Sequence, residues 1–140
     1  MYSTYLGTYA TGYGIALDAA GDAYVAIQAN SVPVTSGAVS YCCGSYVTKL
    51  NPTGTALLYS AQLNTYNTSG IAVDNSGNAY FVSSSASSSY PVTSGAYQPA
   101  QAGGTDAVVT KLNPSGTALV YSTYLGGRRR RFRVWRSGRR

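Results

Sequence analysis

The chain has 140 residues, 44% hydrophobic and only 10% charged, so its length allows one ordinary domain or a piece of a larger one and no multidomain enzyme. It contains no Glu and no His, the residues most used for acid–base catalysis and metal binding, which argues against an enzyme. The formal charge of +6 belongs to the C-terminus: eight of the ten basic residues are Arg between Arg128 and Arg140, while residues 1–127 hold two Lys against four Asp, a net of −2 that gives no electrostatic reason to expect an anionic partner.

In chain order, residues 1–13 show neither the basic start nor the apolar run of a secretory signal, and no later stretch approaches the ~18 consecutive apolar residues of a membrane helix. If the natural protein is exported, its targeting segment is expected upstream of this chain. YSTYLG at 2–7 reads as a strand. GIALDAAGDAYV at 14–25 predicts two strands joined by a turn from Asp18 to Gly21, the aspartate opening the turn by accepting backbone N–H bonds. PVTSGA at 33–38 sits in a connection that runs on to Cys42 and Cys43. Adjacent cysteines close only a strained ring, so no stapling disulfide is expected, and no second Cys or His ligand completes a metal site. YVTKLNPTGTALLYS at 46–60 predicts a second hairpin, with Asn51, Pro52 and Gly54 at positions i, i+1 and i+3 of a type I turn. Lys49, just before that turn, is expected to point outward from its strand.

The second half repeats the first. GIAVDNSGNAYF at 70–81 follows its copy by 56 residues, PVTSGA at 91–96 by 58, and VVTKLNPSGTALVYS at 108–122 by 62, a period of about 60. The offset grows because Ala38 to Tyr46 is eight steps and Ala96 to Val108 is twelve, the mark of a surface loop on a fixed scaffold. Asp74, Gly77, Asn113, Pro114 and Gly116 thus restate the turn residues of the first half, and Lys111 restates Lys49. No window keeps apolar residues at helical spacing, so the chain is expected to be all-β, four short strands to a unit. A long Ser/Gly/Ala/Pro-rich connection, 84–106 in the second unit, separates the second and third strands; its PVTSG word predicts an ordered turn packed on its own sheet. Tyr90 and Tyr97 in that loop are candidate platforms for stacking on a sugar or a peptide. Tyr24 with Tyr80, and Tyr59 with Tyr121, recur at matched places and read as sheet-packing residues. Asp18 with Asp22 superficially resembles a calcium loop, but further acidic ligands are missing and Asn78 replaces Asp22 in the second unit, so neither metal nor cofactor is expected. Asp106 has no acidic counterpart in the first unit, where Tyr41-Cys42-Cys43-Gly44-Ser45 stands, and a turn-capping role would be confined to the second unit.

Four antiparallel strands per unit at this period suggest a β-propeller. GIAVDNSGNAYF, YPVTSGAYQ and DAVVTKLNPSGTALVYSTYLGG closely resemble the SBBP-type β-propeller repeat, over residues 1–127. The VDxxGNxY portion is also similar to the NHL-type propeller repeat. The resemblance implies an exported or cell-surface propeller of no assigned chemistry, with no catalytic residues to carry over. The expected architecture is two tandem four-stranded antiparallel blades plus one extra N-terminal strand, a fragment of a larger propeller. Residues 1–7 would be the last strand of a preceding blade, 8–63 the first blade, 64–127 the second and 128–140 a basic, disordered tail. Closed propellers have roughly four to eight blades, so two cannot close a ring. The expected partners are neighbouring blades or further copies of the chain, and the chain alone is expected to be marginal, oligomeric or aggregation-prone.

The expected function is a non-catalytic binding or scaffolding module outside the cell, its loops holding a carbohydrate or protein ligand, with neither nucleic acid nor a membrane as partner of the body. An enzyme would require neighbouring blades to supply His or Glu. A further alternative places function in the tail, GRRRRFRVWRSGRR at 127–140. There Arg128, Arg129, Arg130, Arg131 and Arg133 would bind the phosphates of a nucleic acid or an anionic membrane while Phe132 and Trp135 stack or insert. The competing explanation is a shifted reading frame. Trp135 stands nine residues after Gly126, as Ala16 does after Gly7, and a TGG codon followed by a CG-starting Arg codon, read from its last G, restores the alanine codon GCG.

Overall fold

The computed structural model describes residues 3–42 and 44–127. The arginine-rich tail with Trp135, and Cys43 of the cysteine pair, lie outside the described residues. Eight strands follow one another: β1 (Thr11–Leu17), β2 (Ala23–Gln28), β3 (Gly44–Leu50), β4 (Leu57–Asn64), β5 (Asn67–Val73), β6 (Ala79–Ser85), β7 (Asp106–Leu112) and β8 (Leu119–Leu125). They form two four-stranded antiparallel sheets in simple meander order, β1-β2-β3-β4 and β5-β6-β7-β8, and no described residue is helical.

The hairpin turns form where their residues demand them. Gly21 and Gly77, at φ +84° and +81°, donate their amides to the Asp18 and Asp74 carbonyls at 3.0 and 2.9 Å. The Asn51 and Asn113 turns run longer than their four-residue words. The Asn113 side-chain oxygen accepts the amides of both Thr117 and Ala118, so β8 begins only at Leu119, two residues after the β-branched Thr117 that follows the NPSG word. In the other direction, β5 starts at Asn67, three residues before the apolar word at Gly70, because Asn67 and Thr68 pair with Ser84 and Ser83. Partner strands extend here what the polar residues conceal.

The long connections fold back on their own sheets, as the PVTSG word predicts. Thr35 donates its amide to the Ser60 carbonyl and accepts the Ser60 amide on Oγ1, and Thr93 makes the same two bonds with Ser122. Each loop thereby shields the outer edge strand of its sheet. The extra N-terminal strand expected over residues 1–7 is not formed among the described residues: residues 3–7 join no sheet, and only Thr8 bridges Ser31. In the second sheet the same sequence is a strand because β7 pairs with it. No corresponding partner pairs with residues 3–7 among the described residues; Leu6 packs instead against the first sheet's cluster of Ile27, Ala29, Val32 and Tyr46.

The sheets meet face to face around their first strands, with β5 packed on β1 and β2. Tyr24, Val47, Tyr59 and Leu63 of the first sheet close on Ala79, Phe81 and Leu112 of the second to make the largest apolar cluster. Its tightest point is Gly116 in the β7–β8 turn, where an added Cβ would lie 2.5 Å from the Tyr59 ring. Gly116 and Gly95 share the left-handed conformation, at φ +69° and +77°, but Gly95 has nothing within 4 Å of the added carbon. Gly95→Ala should therefore carry only the conformational cost of about 1 kcal/mol. Gly116→Ala should lose about 1–3 kcal/mol more by overpacking against Tyr59. Urea denaturation of both variants checks this; equal losses would mean that the turn does not seat on that ring.

Candidate functional site

Cross-strand register places Lys49 opposite Tyr24 on one side and Tyr59 on the other, and Lys111 opposite Tyr80 and Tyr121. The lysines, expected to point outward, instead fold over their tyrosine neighbours. Lys49 Nζ lies 4.7 Å from the Tyr24 ring centroid, 3.1 Å from Asp18 Oδ2 and 2.9 Å from Asp22 Oδ2. Lys111 Nζ lies 4.8 Å from the Tyr80 centroid and 3.2 Å from Asp74 Oδ2. The aromatic face and the carboxylates at the adjacent turn stabilise the cation there better than an isolated position on the strand. In the second sheet Asn78 takes the place of Asp22, giving its side-chain amide to the Asp74 carboxylate at 2.9 and 3.0 Å.

These turns are electrostatically closed units. Burial opposes the charge on Asp18, but bonds from Lys49, the Asp22 amide and Tyr24 outweigh it and hold the carboxyl below its ordinary value. Desolvation opposes the charge on Asp74 too, and bonds from Asn78, Lys111 and the Ser76 amide hold that carboxyl well below the usual range. Burial pushes Lys49 down, yet Tyr24, Asp22 and Asp18 together raise it above its ordinary value. Tyr80 raises Lys111 against the desolvation that opposes it, and Asp74 adds to the rise. Both lysines stay protonated, which suits an anchor and not a nucleophile. Asn51 and Asn113 hold the opposite turns in the same closed way, with Pro52 and Pro114 beside them; Pro114 also reaches the Gly77 turn.

One member of this cluster crosses between the sheets. The Tyr24 hydroxyl lies 3.1 Å from both Asp18 Oδ2 and the Gly77 carbonyl and donates toward each. Tyr59 meets Tyr24 edge to face at 6.2 Å, but its own buried hydroxyl has no hydrogen-bond partner among the described residues.

Of the two loop tyrosines proposed as ligand platforms, Tyr90 is a core residue. It is 3% exposed, its hydroxyl pairs with Thr110, and its ring packs on Tyr124, because the PVTSG turn that follows it is pinned to β8. Tyr97 is 84% exposed. Asp106 closes the β6–β7 loop by accepting the Ala102 amide and the Gln98 side-chain amide. Cys42 is exposed in the β2–β3 connection. Among the described residues no group of three or more His, Cys, Asp or Glu is placed to hold a metal ion.

A different set of tyrosines lines an open cleft of about 470 Å³ where β1 begins and β2 ends. Tyr9, Tyr13 and Tyr66 stand around it with Gln28, Asn30 and Gly44. Thr8 is pinned by two backbone bonds to residues 30 and 31, so the chain turns sharply at Tyr9, at φ +48° the one non-glycine residue with positive φ among those described. Such strain often marks a functional position. The Tyr13 hydroxyl donates to Gln28 Oε1 at 3.2 Å. The signal for this site in the sequence is a break in the repeat at Tyr9 and Tyr13, with Thr65 and Ser69 standing 56 residues later.

Residues 56–91, from the start of β4 into the β6–β7 loop, match the model of the SBBP family, described as a beta-propeller repeat. The chain carries an SBBP-type propeller repeat. The two sheets are its blades, and the match crosses the joint between them. No curated protein matches the chain.

Two measurements follow for the blade joint. Tyr24→Phe should cost about 1–2 kcal/mol, since it strips a partner from the Gly77 carbonyl and from Asp18, whereas Tyr59→Phe should be neutral or slightly stabilising. Denaturation of the two variants side by side checks the contrast. The turn clusters also set a pH profile. Asp18 and Asp74, depressed from 3.8, contribute stability that is complete above that value and lost as pH falls through their folded values. Lys49 and Lys111, raised from 10.5, contribute stability that is complete below that value and lost as pH rises through theirs. Melting temperature should therefore be flat between about pH 5 and pH 9 and fall on both sides, with a shallower acid limb in Asp18→Asn.

Proposed function

We propose that the chain is a non-catalytic carbohydrate-binding module of an extracellular or cell-surface propeller protein, and that its ligand lies in the cleft of Tyr9, Tyr13 and Tyr66. The observation that carries this reading is the composition of that cleft: flat phenol rings that stack on sugar faces, beside the Gln28 and Asn30 side-chain amides that match sugar hydroxyls. The charged side chains of residues 3–127 support a role without catalysis. Asp18, Asp22, Asp74, Lys49 and Lys111 are tied into the turns, and Asp106 into its loop. The extracellular assignment rests on the resemblance of the repeats to those of predicted exported and surface proteins.

Affinity electrophoresis through gels loaded with soluble β-glucans, galactans or peptidoglycan fragments tests the proposal. At least one polysaccharide should retard the chain, and Tyr9→Ala and Tyr13→Ala should each weaken retention about tenfold, equivalent to about 1.4 kcal/mol of aromatic contact. Retention lost on deleting 128–140, and kept in both tyrosine variants, would transfer binding to the arginine tail. Release of reducing sugar during the run would make the module an enzyme.

A further inference from the structure

Where the two blades meet, several of the contacts join residues that both recur in the repeat, though Phe81, Ala61 and Val39 correspond to Val25, Thr123 and Tyr97. The first blade presents Tyr24, Tyr59 and Leu63 to the joint, all buried. Their equivalents on the second blade, Tyr80, Tyr121 and Leu125, stand on the side turned away from the joint, with Tyr121 38% and Leu125 52% exposed. The second blade presents Ile71 and Val73 to the joint; their equivalents on the first blade, Ile15 and Leu17, are 66% and 62% exposed.

The polar and close contacts divide in the same way. Tyr24 donates to the Gly77 carbonyl, whereas Tyr80 reaches only its own Asp74, and Gly21, the equivalent of Gly77, meets Pro52 and no tyrosine. The Val39 amide donates to the Gly116 carbonyl at 2.8 Å across the joint. Tyr97, the equivalent of Val39, is 84% exposed in the second blade, and Gly54, the equivalent of Gly116, belongs to the first. Gly14 closes on Ile71 and Gly70, while Gly70 itself has nothing within 4 Å. Each open face therefore holds the missing half of the other.

The receiving face already carries a sample of what would dock there. Residues 3–7, STYLG, are identical to residues 122–126 of β8 and its end, and they lie across the first blade with Leu6, the equivalent of Leu125, against Ile27, Val32 and Tyr46.

We propose that these faces bind a second copy of this chain, the second blade of one copy docking on the first blade of the next in the geometry of the internal joint and displacing residues 3–7. The contact is heterologous, so it propagates until a ring closes. This inference concerns assembly and stands apart from the carbohydrate reading. A second copy is the occupant favoured over an unrelated protein because Tyr80, Tyr121 and Leu125 on one open face and Ile15 and Leu17 on the other repeat the side-chain types that meet at the internal joint.

Ile15→Arg and Leu125→Arg each put a charge on one face only, at positions exposed in the single chain, so each variant should still melt cooperatively, below the parent only by the stability that association adds. Size-exclusion chromatography with light scattering is run on the unaltered chain, on each variant and on their equimolar mixture, at physiological ionic strength. The unaltered chain should run as two or more copies and each variant as one. The mixture should give a complex of two chains and nothing larger, because each variant retains the face that the other has lost. Deleting residues 1–7 should strengthen association of the unaltered chain several-fold by clearing the receiving face. If either arginine variant fails to melt cooperatively, Ile15→Thr and Leu125→Thr replace the pair. An unaltered chain that stays single at its highest soluble concentration overturns the proposal and leaves the faces to other blades or to a partner of different sequence. Association that both variants leave unchanged overturns it as well.

Discussion

A blade of this repeat has two faces that need cover and an outer edge that needs a cap, and most of the structure follows from how those needs are met. The internal joint covers one face of each blade, burying Tyr24, Tyr59 and Leu63 from one side and Phe81 and Leu112 from the other. Each such side chain stabilises by roughly 1.5–3 kcal/mol when removed from water. The Lys49 ion pairs with Asp18 and Asp22, beside the same joint, are each worth about 0–1 kcal/mol. Apolar burial therefore holds the blades together, and the Tyr24 bond to the Gly77 carbonyl ties the Lys49–Asp18 cluster of the first blade to a turn of the second.

The long connections meet the remaining need by using backbone as cover. Thr35 and Thr93 bond to the outermost strands of their sheets, and Tyr90 fills the outer part of the second blade against Val108 and Tyr124. A loop rich in serine and glycine is thus part of the core at one end and free to change length at the other. Between Ala38 and Tyr46, where the two repeats differ most, Val39 packs on the joint and Ser45 accepts the Thr68 hydroxyl of β5 at 3.1 Å, so the change in length is taken up around these contacts.

Repeated and unrepeated positions carry different tasks. Tyr24 with Tyr80, Lys49 with Lys111 and Gly54 with Gly116 build the blade and its joints, so they recur. Tyr9, Tyr13 and Asp106 do not recur, and each belongs to a local feature of one blade: the cleft beside β1 in the first, the loop closure in the second. In a solenoid-like array the individual character of a unit sits where it departs from its neighbours.

The fold was largely legible in the chain because turn chemistry and repetition are local and redundant: Asp18 and Asn51 announce the same turns as Asp74 and Asn113, and two copies of a word exclude accident. The strand ends were less legible. Asn67 and Thr68 look like loop until Ser84 and Ser83 pair with them, and the Asn113 side chain holds Thr117 in a turn that its β-branched character would not suggest. Composition, periodicity and turn residues by themselves determined an all-β chain of two equivalent four-stranded units. Only the tertiary structure decided that Tyr90 is buried and Tyr97 exposed, that Lys49 folds over Tyr24 instead of pointing outward, and that Tyr9, Tyr13 and Tyr66 converge on one cleft. Those outcomes depend on which side of a sheet another segment covers, and that is a property of packing between residues distant in sequence.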